Sequence, residues 1–165
     1  MKVLIAVVFA AASLLTILLG SPSIKDTDLQ PLIGGQWVGT LTYLDYGKNK
    51  KVSIPVTLNV TKSTKDQSTW IFDFRYPDEP KANNIQEVTL TDNGRTLDGE
   101  TVVERIKLPG KTVKIVTEKS GQDNNKPAVL RYTYLISPKN FSIRKEVRYE
   151  GVTELFERNE YRWTR

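Results

Sequence analysis

Between Trp37 and Thr164 no connection is long enough to hold a crossover helix, and each extended stretch is followed by a turn. That feature decides the topology, because strands joined by short links must pair antiparallel with their neighbours as hairpins. The alternation is plainest where Val52, Ile54, Val56, Leu58 and Val60 interleave with Ser53, Pro55, Thr57, Asn59 and Thr61, the two-residue period of a half-buried strand. Pro55 lacks an N–H, so it belongs at an edge or a bulge. Next, Trp70, Phe72, Phe74 and Tyr76 share one face against Ile71, Asp73 and Arg75. Further strands are expected near 85–91, 101–108, 112–119, 128–137, 141–150 and 153–164, separated by turn residues such as Asp92-Asn93-Gly94, Asp98-Gly99 and Pro109-Gly110. No helical pattern is readable after residue 24.

Such a meander ends in two unpaired edges unless its first and last strands meet, and closure removes both. The expected fold is therefore all-β: a single antiparallel up-and-down barrel of about eight to ten strands. An open sandwich is the alternative.

The chain begins with a different kind of sequence. Lys2 precedes an apolar run from Val3 to Leu19, broken by Ser13 and Thr16 and ended by Gly20-Ser21-Pro22-Ser23. This is the pattern of an export signal. Residues 1–23 are read as a signal helix, cleaved after Ser23 or, as a second option, after Gly20. The alternative is an uncleaved anchor, for which a run of roughly 26 Å falls just short of a bilayer core. Residues 24–34 then read as a linker and 35–165 as the barrel domain. The expected location is secreted or periplasmic, with membrane contact only through an uncleaved leader.

The chain has no cysteine and no histidine. Disulfides, thiolate nucleophiles, Cys/His zinc sites and imidazole-based triads are all excluded. No metal and no cofactor is assigned. Glutamates are plentiful, but none stands out from an alternating solvent face, so the chain is not read as an enzyme. The basic turn Lys48-Asn49-Lys50-Lys51 lies opposite the aromatic face rather than among it, which argues against nucleic acid as a partner.

Gly35-Gln36-Trp37 opens the first strand, which continues through Gly39, Tyr43, Asp45 and Tyr46, and the last strand ends Arg158-Asn159-Glu160-Tyr161-Arg162-Trp163-Thr164-Arg165. These two ends resemble the lipocalin and calycin superfamily, whose first strand carries Gly-x-Trp. More closely, they resemble a group of secreted, mostly bacterial lipocalin-like proteins. The resemblance implies a barrel in which an arginine near the end of the chain packs across Trp37. Arg158, Arg162 and Arg165 are the candidates for that closure.

If Trp37 faces inward, so do Gly39, Leu41, Tyr43 and Asp45. An inward Asp45 would need an Arg or Tyr partner; otherwise it is solvated near the strand end and caps the turn at Gly47. Two stripes at strand spacing, Trp70, Phe72, Phe74 and Tyr76 and then Leu130, Tyr132, Tyr134 and Ile136, read either as plain core or as a cavity wall. Lys145, between Ile143 and Val147, could anchor an anionic headgroup or snorkel to the rim. The leading expectation is an exported protein holding a small apolar or amphipathic ligand, with Tyr43, Phe72, Phe74, Tyr132 and Tyr134 as lining and Asp45 as the polar contact. A packed barrel serving as a protein-binding module is the alternative. A cofactor-free enzyme built on Asp45 comes third. A lumen of a few hundred Å3 supports the first over the second.

Overall fold

A computed structural model describes residues 20–45, 47 and 50–165. The apolar leader as far as Leu19 lies outside the described residues, as do Tyr46 and, in the basic turn, Lys48 and Asn49. Ten strands form one closed antiparallel barrel: β1 (Trp37–Asp45), β2 (Lys50–Lys62), β3 (Thr69–Arg75), β4 (Asn84–Thr91), β5 (Thr96–Leu97), β6 (Glu100–Leu108), β7 (Thr112–Asp123), β8 (Lys126–Ile136), β9 (Asn140–Tyr149) and β10 (Phe156–Thr164). Each strand pairs with the next in sequence, and β10 pairs with β1 to close the ring.

Closure rests on a tight seam. Gly39 stands opposite Trp163 in the β1–β10 register, and an added Cβ at Gly39 would overlap the Arg162 carbonyl. Only glycine lets the two backbones approach this closely. Pro55 pairs with Thr40 of β1, whereas the β2–β3 ladder begins at Thr57. The proline thus occupies a stretch of β2 with one neighbour, where its missing N–H costs no ladder bond.

The core lies toward the Trp37 end. Trp37, Trp70, Phe141 and Trp163 are almost wholly buried. Trp163 stacks on Phe141 at 5.1 Å and on Tyr161 at 5.0 Å between ring centres. Such pairs add about 0.5–1.5 kcal/mol beyond the area they bury. A smaller apolar cluster of Ala128, Leu130 and Val147, with Tyr132, Tyr149 and Phe156 against it, lies toward the other end of the long strands.

The segment before β1 differs from its sequence reading. Residues 24–34 are a plug rather than a linker: α1 (Asp26–Leu29) runs into a 3-10 turn (Gln30–Leu32), and Ile24, Leu29 and Leu32 are buried in the barrel core. Burying each apolar side chain contributes roughly 2 kcal/mol. Polar contacts fix the plug's position. The Asp28 carboxylate accepts two hydrogen bonds of 2.7 Å from Arg105 on β6 and another from its own helix at Lys25 N. Burial alone would push the Asp28 carboxyl up, but Arg105 and the Lys25 N–H outweigh it and hold the group below the usual carboxylate range. Ile24 N donates to the Gly94 carbonyl at 2.8 Å, which ties the plug to the β4–β5 hairpin.

Three strand expectations also shift. The final strand begins at Phe156, not at 153. The two-residue β5 had no readable pattern. Glu160, counted among solvent-facing glutamates, is buried and held by Arg144 and Arg162.

Candidate functional site

The Trp37 end is sealed. Trp37 Nε1 donates to the Leu32 carbonyl at 2.9 Å, which joins the first strand to the plug. The Arg165 guanidinium lies 4.2 Å from the centre of the Trp37 ring, the stacking the resemblance implies. Its N–H groups reach the carbonyls of Pro31, Ile33, Gly34 and Pro138, gathering plug, seam and β8–β9 turn around one cation. Of the three candidate arginines, Arg165 closes the barrel. Arg158 pairs with Asp123 at 3.0 Å near the opposite end, and Arg162 pairs with Glu160 on the exposed side of β10.

Above this floor lies a cavity of about 230 Å3. Leu29 and Leu32 of the plug form part of its base, and its walls come from β3 through β10. Phe72, Phe74, Tyr132 and Tyr134, four of the six expected ligand contacts, line it together. Tyr43 and Asp45 do not. Tyr43 pairs with Asn159 and Val52, further toward the open end. Asp45, half-buried at the end of β1, accepts the Gly47 N–H at 2.9 Å and so serves the turn. Lys145 pairs with Tyr132 across β8 and β9 and stands 6.0 Å from that ring centre, outside the lining.

Tyr76, in the same stripe as Phe72 and Phe74, lines the cavity as well, whereas Tyr161, Glu100 and Asp98 escaped the sequence reading. Tyr76 and Tyr161 reach across the barrel to share a hydrogen bond of 2.9 Å between hydroxyls. Glu100 is buried, with 3% of its surface exposed. It accepts from the Thr117 hydroxyl at 2.5 Å and pairs with Lys119 at 3.0 Å. A buried carboxylate needs such partners, since an unpaired one costs several kcal/mol. Asp98, at the β5–β6 turn, accepts from Gln86 Nε2 at 2.8 Å. Alternation offered one usable signal: Glu100 shares the parity of Val102, a core residue.

The lining tyrosines feel both the burial and these acids. Burial first, then the charges of Glu100, Asp98 and Asp123, push the Tyr132 hydroxyl up to about 12. Tyr134 is raised well above its ordinary value, by burial and next by Glu100. Tyr161 is raised by burial and by its bond to Tyr76. All three are therefore neutral hydrogen-bonding groups across the physiological range. Among the described residues no group of acids is placed to hold a metal ion.

The register also locates the entrance. β5 pairs with β4 only at Leu90 and Thr91, and with β6 only at Glu100 and Thr101. The β6–β7 ladder ends at Glu118, so Lys119–Asp123 pairs with β8 alone, while 84–88 of β4 pair with β3 alone. The two free edges face a slot with the Asp98-Gly99 turn at its base. Asn84, Gln86, Asp98, Glu100 and Lys119, all around this slot, belong to the cavity lining.

No family model matches the chain, and no curated protein matches it. Among solved structures it is similar to "Crystal Structure of Rv2717c from M. tuberculosis", with 14% identity over 84% of this chain and 95% of that one, at a TM-score of 0.48. That likeness is too distant to carry a functional reading across.

Proposed function

We propose that this chain is an exported, lipocalin-like binding protein that holds one small amphipathic molecule in its lumen. The cavity carries the proposal: a packed interaction module has no use for about 230 Å3 of lined space behind a slot in its wall. Aromatic and aliphatic walls supply affinity through buried apolar area. A few placed polar groups, here Glu100, Asp98, Lys119 and the tyrosine hydroxyls, orient the ligand. Asp45, the carboxylate first considered for catalysis, is engaged in a turn and stands apart from the cavity, which favours binding over turnover.

Size narrows the ligand. A cavity of about 150 Å3 accommodates benzene, so in proportion this lumen takes roughly nine non-hydrogen atoms. That fits a single ring with a short polar arm and excludes long acyl chains lying wholly inside.

Native mass spectrometry of the protein purified from its own compartment tests the reading. A retained small mass is expected, and Ile143→Phe, which fills the lumen from β9, is expected to abolish it. A bare mass from the unsubstituted protein under gentle conditions would return the weight to the packed module.

A further inference from the structure

We infer that the lumen is built for a small organic cation, an ammonium group carried on one apolar ring. This rests on the lumenal-ligand reading and specifies its chemistry.

The first support is the wall. Phe72, Phe74, Tyr76, Tyr132, Tyr134 and Tyr161 all line the cavity. Aromatic faces attract cations through their quadrupoles, and the attraction grows where water is excluded.

The second support is the balance of formal charge. The lining contains Asp98, Glu100 and Lys119. Glu100 is satisfied by Lys119 at 3.0 Å and by the Thr117 hydroxyl. Among the described residues the Asp98 carboxylate receives the neutral amide of Gln86. One negative charge at the slot is thus left without a cationic partner in the lining. Burial is the main cause that raises the Tyr132 and Tyr134 hydroxyls, and the carboxylates Glu100 and Asp98 add to it. The opposing groups are Lys119, 5.7 Å from the Tyr132 ring centre and paired with Glu100, and Lys145, 6.0 Å from that centre and outside the lining. Both crowd the Tyr132 ring, so the place open to a cation is beside Asp98.

The binding pose follows. The ring enters between Phe72, Phe74 and Tyr134, and the ammonium stays at slot level, donating to Asp98.

Isothermal titration of the full chain with 2-phenylethylammonium, 2-phenylethanol and phenylacetate tests this with one shape and three charges. The ammonium is expected to bind at least about tenfold more tightly than the alcohol, and phenylacetate most weakly. Asp98→Asn should bring the ammonium down to the affinity of the alcohol and leave the alcohol unchanged. Asp98 has φ 51°, a conformation asparagine adopts readily, so this variant keeps the turn. Lys145→Met should strengthen ammonium binding. Equal affinity for alcohol and ammonium, or preference for phenylacetate, overturns the cation inference and leaves the lumenal reading standing. Binding of none of the three overturns both for one-ring ligands.

Discussion

The Arg165 guanidinium covers the Trp37 ring at 4.2 Å while donating to carbonyls of the plug and of the β8–β9 turn. One side chain thus joins the first and last strands of the barrel to the segment beneath them. Arg165→Ala is expected to lower the unfolding free energy by about 2 kcal/mol, from the lost stacking and the carbonyls left without donors. Arg165→Lys should recover only part, because an ammonium cannot fork among several acceptors. Arg162→Ala removes an exposed side chain and leaves the buried Glu160 with Arg144, so it should cost less, about 1 kcal/mol. Denaturant midpoints of the three variants check the order.

Gly39→Ala places a methyl against the Arg162 carbonyl across the β1–β10 seam. Neither backbone can retreat without breaking the ladder that closes the ring. The expected loss is at least about 3 kcal/mol, together with rapid hydrogen exchange along β1 and β10. Normal protection of those amides would show that the seam tolerates the extra atom.

Asp28→Asn leaves the Arg105 guanidinium in the plug interface without its counter-charge, at an expected cost of about 3 kcal/mol. The pH dependence has a definite sign. The Asp28 carboxyl is held below its ordinary range in the folded state, so its stabilisation is complete above the unfolded pKa and is lost as pH falls through the folded one. Unfolding free energies of the unsubstituted protein and of Asp28→Asn should therefore differ at neutral pH and converge at acid pH. A constant difference down to strongly acid conditions would assign the effect to packing instead.

At the alkaline end the lumen tyrosines dominate. Tyr132 is pushed up to about 12, with Tyr134 and Tyr161 raised as well. A phenol raised in the folded state stabilises fully below the unfolded pKa near 10 and ceases to do so as pH climbs through the folded value. Stability should fall above about pH 10, and phenolate absorbance should show these three ionising only with unfolding. Ionisation of all the tyrosines before the unfolding transition would contradict the buried assignment.

Sequence reading succeeds here where the signal is periodic and local. Alternation from Val52 to Val60 places β2, while the arginine over Trp37 comes from the family resemblance and not from a local signal. Sequence reading fails where a residue's role depends on a partner far along the chain. Leu29 and Leu32 sit in helical turns too short to show a period, and Arg105, which fixes them, lies 77 residues from Asp28. Glu100 looks like any strand glutamate until Thr117 and Lys119 are seen beside it. Asp45 shows the converse: its parity with Trp37 suggested the lumen, but its nearest demand was the turn two residues on.

The brevity of β5 has a mechanical meaning. A ring of ladders is as strong as its thinnest link, and here that link has two residue pairs on each side. Parting it would lengthen the slot while Trp37 and Arg165 kept the far end bolted. On the proposed lumenal reading, a ligand would pass through a brief local breach, at a small fraction of the free energy of taking the whole barrel apart.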